Sequence, residues 1–303
     1  MHGDAALTRR LRGGRHGAKR ADDDPLEAVQ AANRAWWEQS PMTYDWRGSP
    51  ELEPGSRFWF DDQDRRSDAQ HAHFLDGRPP FELLLGDIAL EGKEVLEIGI
   101  GSGYHAELLA RRGAHVTGID LAAPSVDLSK TRFEAKRLHG TLEQWDAEQD
   151  RPDFHRRFDV IWSWGVIHHS AHTARIVRNA QQWLAPDGCI AGMVYHRDSM
   201  RLPVALTRDW LIGRNWRSHS IDEALCRSTD GFSARFYPAD QWRDLLLAFF
   251  DEAQTSVQGL DVDAVPLPQP ARNVVWSRLS PSARRRLLGR LGHFLLFRAD
   301  RPR

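Results

Sequence analysis

The sequence predicts an α/β fold, a doubly wound and mostly parallel sheet with helices on both faces. Two observations predict it. From residue 94 onward, short apolar runs alternate with amphipathic stretches at the spacing of successive βαβ units. Between the first such strand and its helix stand three closely spaced glycines, Gly99, Gly101 and Gly103. The chain can support a core of this kind, because 41% of its 303 residues are apolar.

Residues 1–24 are polar and Arg-rich, ending in Asp22-Asp23-Asp24-Pro25. They carry little apolar surface to bury and are expected to be a disordered basic tail, solvated rather than bound to an anionic partner. Residues 25–90 are expected to form an N-terminal helical cap. Leu26, Val29 and Ala32 fall at helical spacing and lead to Trp36 and Trp37. The stretch Ser40-Pro41-Met42-Thr43-Tyr44-Asp45-Trp46 interrupts them, and a second helix is expected over 56–74. This lead-in is too aromatic for a linker.

Residues 91–198 are the expected core. Glu94–Ile98 reads as a strand, 104–112 as a helix closed by Gly113 in the left-handed region, and 115–119 as the next parallel strand. A helix over 125–137, a strand over 141–145, a buried strand at Phe158–Trp164, a helix over 173–184 and a strand over 189–195 follow. Pro186-Asp187-Gly188 reads as the turn before that last strand. The rhythm breaks at 199–236, which is expected to be a lid or substrate insertion. The remainder of the sheet is expected in 237–303: a helix over 238–250, a strand over 253–260, a Pro-rich connection over 261–281, a basic helix over 282–290 and a strand over 293–298. No internal repeat is found.

Composition excludes several functions. Basic and acidic residues nearly balance, 41 against 42, so no bulk positive field holds nucleic acid. Only four of the basic residues are Lys, a bias that reads as a GC-rich coding genome. Cys189 and Cys226 stand far apart without a CxxC, which argues against a disulfide framework and a zinc site, and no metal is expected. The N-terminus lacks the apolar core of a signal peptide, and no apolar run approaches the ~20 residues of a membrane span. A reduced, cytoplasmic setting is expected.

The strongest chemical signal is Val95-Leu96-Glu97-Ile98-Gly99-Ile100-Gly101-Ser102-Gly103. Glycines there let the backbone bend tightly and approach a ligand, and the helix that follows aims free N–H groups at the same crevice. The dinucleotide fingerprint GxGxxG needs a glycine where Tyr104 stands, so the spacing favours S-adenosylmethionine over NAD. Glu97 is a carboxylate inside an apolar strand. That is costly unless it meets a partner: the methionine ammonium, or else nearby backbone amides. Asp120 ends the second strand and suits a ribose diol or the cap of the next helix; beside the glycines the ligand reading is preferred. Asp146-Ala147 is placed to meet adenine.

On these residues the chain resembles a known family. VLEIGIGSGYHAELLARRGAHVTGIDL resembles motifs I and II of class I S-adenosylmethionine-dependent methyltransferases. FDVIWSWGVIHHS and WLAPDGCIAGMVYHRDS resemble the later motifs of their ubiquinone-type (UbiE-like) small-molecule branch. The resemblance spans about residues 90–200 and returns at 236–260 and 292–300. It implies a Rossmann-like seven-stranded sheet with a reversed last hairpin. It also implies that Gly99, Gly101 and Gly103 line the methionine moiety, that Glu97 serves its ammonium and that Asp120 holds the ribose hydroxyls. Leu121 would pack on adenine, Asp146 and Ala147 would meet its edge, and Trp164 would lie near the sulfonium. The segment WWEQSPMTYDW is similar to a lead-in of uncharacterised bacterial members.

Methyl transfer is an in-line displacement with a neutral leaving group, so the protein must align the acceptor and take up a proton. Candidate bases follow the fourth and fifth strands: His168, His169, Tyr195 and His196, with Asp198 close by. His168 and His196 are preferred because each directly follows an apolar strand; a helix cap or loop hydrogen bond is the alternative for any of them. His105 is given a local structural role. Trp36, Trp37, Trp46 and Trp59 read mainly as core, with closure over the cofactor as the alternative. Arg201, Arg208, Arg214 and Arg217 could meet an acidic acceptor but read more simply as a solvated face.

No NPPY-type tetrapeptide follows the fourth strand, where Ser163-Trp164-Gly165-Val166 stands instead, and neither cysteine is placed as a cytosine-methylating nucleophile. The expected function is methylation of a small-molecule acceptor, a metabolite, natural product or glycoside of bacterial secondary metabolism, with oxygen ahead of nitrogen or carbon. Two alternatives stay open: a fold relative that performs cyclisation or decarboxylation, and a non-catalytic cofactor-binding partner. A homodimer is compatible with either reading.

Overall fold

The computed structural model describes residues 25–42, 52–74, 80–205, 207, 212–213 and 231–303. The expected tail, Trp46, Arg208, Arg214, Arg217, Cys226 and most of the expected 199–236 insertion lie outside the described residues.

Three helices come first: α1 (Pro25–Gln39), α2 (Arg57–Phe74) and α3 (Pro80–Leu85). The alternating core follows as β1 (Glu94–Ile98), α4 (Tyr104–Ala110), β2 (His115–Asp120), α5 (Ala123–Lys136), β3 (Thr141–Gln144), β4 (Phe158–Trp164), α6 (Thr173–Trp183) and β5 (Leu184–His196). Helix α7 (Arg201–Ala205), β6 (Phe236–Tyr237), a helix at Ala239–Leu247, β7 (Phe250–Gln258), three further helices and β8 (Phe294–Pro302) complete it. The strand order is β3-β2-β1-β4-β5-β8-β7, with β6 added on β5. Strands β1 to β5 run parallel, whereas β8 runs antiparallel to both β5 and β7. The fold is therefore the expected Rossmann-like sheet with a reversed last hairpin, and the two-residue β6 makes it eight strands rather than seven.

Helices on both faces explain the burial of the central strands. Along β1, Val95 joins one core layer with Val160, Trp162 and Ala191, while Leu96 and Ile98 join the other with Ile161, Ile190 and Trp183. That alternation is the two-residue period of a pleated strand. Helix α6 contributes Ile176, Val177, Ala180 and Trp183, one apolar stripe laid on the second layer.

The late chain departs from expectation in three places. Pro186-Asp187-Gly188 is not a turn before the strand; it lies inside β5, which already begins at Leu184. Phe158 pairs with Leu184 and Val160 with Cys189, so residues 185–188 bulge from the ladder around a proline that has no N–H to donate. The Pro-rich connection folds into helices at Asp261–Ala264 and Gln269–Arg278, before the basic helix at Pro281–Leu291. The latter two carry proline in the first turn, where its missing N–H is no loss. The helix expected to reach residue 250 ends at Leu247, because Phe250 opens β7. Helix α3 was not anticipated.

Gly192 records how closely β4 and β5 approach. A Cβ there would lie 1.8 Å from the carbonyl oxygen of Ser163, its partner in the register. Gly192→Ala is expected to cost roughly 3 kcal/mol or to prevent folding, since backbone cannot yield as a side chain can. Urea denaturation checks this, and a variant as stable as the parent chain contradicts the register.

Candidate active site

The chain leaves β1 through a turn in which Gly99, Gly101 and Gly103 all have positive φ, at 80°, 51° and 78°. Their surroundings differ. A Cβ on Gly99 would meet the Val166 side chain at 2.3 Å, and one on Gly103 would meet Ser129 at 3.0 Å and Arg132 at 3.2 Å. On Gly101 the nearest heavy atom would be the Met42 carbonyl oxygen at 3.9 Å. Gly103 thus serves packing between α4 and α5, whereas a Cβ on Gly101 would make only a van der Waals contact among the described residues.

The turn is held from behind. The Gly101 amide donates to Asp120 Oδ2 at 3.0 Å, Ser129 Oγ donates to the Gly101 carbonyl at 2.9 Å, and Arg132 Nε donates to the Ser102 carbonyl at 2.6 Å. Arg132 is fully buried. It pairs with Asp64 of α2 at 2.6 Å and Glu107 of α4 at 2.8 Å, and its guanidinium lies 4.5 Å over the Phe60 ring. Lys136 reaches Asp64 at 2.6 Å, Asp61 at 3.0 Å and Glu107 at 3.1 Å, and the Tyr104 hydroxyl donates to Asp68. Sequence reasoning missed this network. Three of its acids, Asp61, Asp64 and Asp68, lie on α2, far along the chain from the residues they meet.

A cavity of about 290 Å³ opens at the carboxyl ends of the parallel strands, where open α/β sheets bind ligands. Glu97, Gly99, Gly101, Asp120, Leu121, Asp146, Ala147, Trp164, His169 and Tyr195 all line it. Gly103, His168 and His196 do not.

One end of the cavity is acidic. Glu97 is 2% exposed, and its Oε2 has no hydrogen-bond partner among the described residues. Its Oε1 lies 3.9 Å from His105 Nδ1. Burial first, and then the charge of Asp120, hold the Glu97 carboxyl well above the usual carboxylate range. Asp120 is raised by burial too, against the backbone amides it binds. It accepts from Ala122 N at 2.9 Å as well as from Gly101, so it braces the start of α5 and lines the cavity at once. Asp146 accepts from Gln30 Nε2 at 3.2 Å and from Glu148 N at 3.0 Å. The buried Glu97 carboxyl, with one oxygen unpartnered among the described residues, is left in deficit, and a cationic group bound there removes it.

The other end is aromatic and basic. His169 Nδ1 lies 2.6 Å from the Ser233 carbonyl, so that nitrogen carries the hydrogen and Nε2 keeps a lone pair. Burial, outweighing the bond to Ser233, pushes its pKa down to about 4. Tyr195 stacks on His293 at 4.3 Å.

The two preferred bases are displaced from the cavity. His168 is fully buried, wedged between Tyr195 at 4.0 Å and His169 at 4.3 Å. Burial, with the charges of His169 and His293, holds it well below the usual imidazole range. His196 binds the Gly292 carbonyl through Nδ1 at 2.9 Å. Following an apolar strand was the wrong criterion: side chains alternate along β5, so Tyr195 faces the cavity and its neighbour His196 faces away. His105 lines the cavity and meets Trp162 and Trp164 edge-on at 5.7 Å.

Helix α1 forms the roof. Gln30, Asn33 and Trp37 line the cavity. Asn33 Nδ2 donates to the His169 carbonyl at 3.0 Å, and Trp37 Nε1 donates to Asn33 Oδ1 at 3.1 Å. Their spacing, one face of a helix, was a signal available in the sequence. Of the other tryptophans, Trp59 is buried in the core and Trp36 is exposed. Arg201, His293 and Phe294 also line the cavity.

Residues 95–188 match the family model described as a methyltransferase domain. These residues are a methyltransferase domain of the class I S-adenosylmethionine-dependent kind. The chain is 34% identical over 101 residues to a ubiquinone biosynthesis O-methyltransferase of Coxiella burnetii, across 33% of this chain and 43% of that one. With the protein of the same name from Stutzerimonas stutzeri it is 29% identical over 200 residues, 64% of this chain and 79% of that one. The protein solved in complex with the Haloferax volcanii Trm112 methyltransferase activator shares the fold, with a TM-score of 0.51 and 20% identity across 80% of this chain and 96% of that one. The chain spans less than half the length of the Coxiella relative. The family cofactor, S-adenosylmethionine, fits the site: the orphaned Glu97 oxygen suits a cationic amine, and Gly101, without a side chain, admits a close ligand.

Glu97→Gln tests that fit in two opposite ways. The raised carboxyl binds its proton more tightly folded than unfolded, so the ligand-free protein loses stability as pH rises out of the carboxylate range toward neutrality. The variant is expected to lack that loss, gaining about 1–3 kcal/mol near neutral pH and nothing in acid. Its affinity for S-adenosylmethionine is expected to drop at least about tenfold. Denaturation across pH and titration calorimetry measure the two; a variant that binds the cofactor normally contradicts the assignment.

Proposed function

We propose that this protein transfers a methyl group from S-adenosylmethionine to a small-molecule acceptor, with oxygen as the methylated atom. The observation that carries the reading is the buried, unpartnered oxygen of Glu97 beside Asp120 and the glycine turn. The oxygen preference also draws on the relatives, which are ubiquinone biosynthesis O-methyltransferases, and the small acceptor on a net charge of −1. A cytoplasmic setting and a role in secondary metabolism belong to the same proposal. Among the described residues no helix is long and apolar enough to cross a membrane.

When bound, the cofactor supplies a methyl on sulfonium with a neutral leaving group. The residues divide the remaining work. Glu97 binds the ammonium, Gly99 and Gly101 admit the methionine backbone, and Asp120 takes the ribose hydroxyls. Leu121 and Ala147 flank adenine, and Asp146, already bonded to Gln30, meets its edge. Trp164 walls the sulfonium end and Tyr195 the acceptor end. His169 offers the Nε2 lone pair to the acceptor hydroxyl. A pKa near 4 makes it a weak base, so its main contribution is alignment, with proton uptake late in the displacement.

Incubation with methyl-tritiated S-adenosylmethionine and a panel of phenols and hydroxy acids tests the reading, with label expected in an extractable product. Absence of cofactor binding by calorimetry overturns it. With an acceptor that takes label, His169→Ala is expected to lower kcat by about a hundredfold and leave cofactor affinity unchanged. For the parent enzyme, kcat/KM should hold level through the ordinary imidazole value of 6.5 and fall only as pH nears 4. A rise centred on 6.5 would exclude His169 as the group concerned.

A further inference from the structure

The cavity is electrically divided, and the division bears on what it accepts. Its acids, Glu97, Asp120 and Asp146, gather at the glycine turn. Among the described lining residues only Arg201 is a lysine or arginine. Its ion pair with Asp263 is 3.8 Å long and touches Nε alone. Asp263 is itself engaged, accepting from Leu260 N at 2.8 Å. A guanidinium has five donors, so one distant contact leaves most of them for a ligand.

Beside it stands His293, 1% exposed, lining the same cavity, with Nδ1 lacking a hydrogen-bond partner among the described residues. Met200 N donates to the Leu291 carbonyl at 3.3 Å, which brings Arg201 and His293 to one corner of the cavity they both line. A buried imidazole nitrogen without a partner is costly unless a ligand supplies one. The walls between this corner and the cofactor end are flat rings: Tyr195 stacked on His293 with 29° between planes, and Trp37 edge-on to His169 at 5.4 Å. Such walls admit a planar molecule.

Resting on the methyl-transfer reading above, we propose that Arg201 and His293 form an anion subsite, and that the acceptor is a planar, hydroxyl-bearing compound held by a carboxylate. The carboxylate sits at Arg201, away from the acidic end, and the ring lies along Tyr195 and His169. A cationic cofactor at Glu97 lowers the repulsion such an acceptor meets, so the cofactor binds first.

The test uses 3,4-dihydroxybenzoate and its methyl ester as probes, titrated into the full chain saturated with S-adenosylhomocysteine. The acid is expected to bind at least about tenfold more tightly than the ester, the range of a charge-assisted hydrogen bond. Arg201→Gln should weaken the acid about tenfold, change the ester less than about twofold and leave S-adenosylhomocysteine affinity unchanged, and Arg201→Lys should restore part of the loss. His293→Phe keeps the ring stack and should weaken the acid alone. Equal binding of acid and ester, binding of neither, or equal loss of both in Arg201→Gln overturns the subsite while leaving the methyltransferase reading standing. Failure of the parent chain to bind S-adenosylhomocysteine removes that reading, and the subsite with it.

Discussion

The hydrogen bond from the Gly101 amide to Asp120 ties the end of β1 to the end of β2, and the architecture of the cavity follows from it. Glycine alone reaches the required φ without strain, and a bend so free to move needs an external brace. Asp120 supplies it on one side and Arg132, through the Ser102 carbonyl, on the other. Arg132 is stable inside the protein only because Asp64 and Glu107 surround it, so α2 and α4 become part of the glycine turn. Helix α2, which looks peripheral in the chain, is thereby a structural partner of the glycine turn.

The same brace sets the electrostatics. Asp120 spends its acceptors on backbone amides and so remains tolerable at depth, while Glu97 keeps one oxygen bare. The charge of Asp120 also raises the proton affinity of Glu97. A fold optimised for stability alone would replace Glu97 by an apolar residue. Glu97 is a position where a buried carboxyl oxygen, unpartnered among the described residues, costs stability.

The roof is attached differently from the walls. Strands β1, β4 and β5 are held by apolar layers on both faces, but of α1 only Asn33 is buried. The helix is joined through Gln30, Asn33 and Trp37 to Asp146 and His169. Polar joints of this kind add little net free energy, so α1 belongs to the less stable part of the molecule. Its anchor points also line the cavity.

The sequence by itself determined the class of fold, the strand and helix alternation from 94 to 196, and the acidic end of the site, because each depends on contacts near in the chain: a two-residue or helical period, and a glycine bend flanked by the strand ends it joins. It was silent on which histidine meets the ligand. His168, His169 and His196 are equivalent as letters and all three are buried, and only the side-chain direction at the ends of β4 and β5, set by packing on both faces of the sheet, leaves His169 lining the cavity and turns the others away from it. It was silent too on Arg132 and His293 and on the partners of Gln30 and Asn33: Arg132 meets Asp64 68 positions away, Asn33 meets His169 136 away and Gln30 meets Ala171 141 away. Prolines misled where local rules have two readings, break or helix start, as at Pro270 and Pro281. Tertiary structure decided these matters because burial and long-range pairing are properties of the closed sheet and its covering helices, and no window of neighbouring residues contains them.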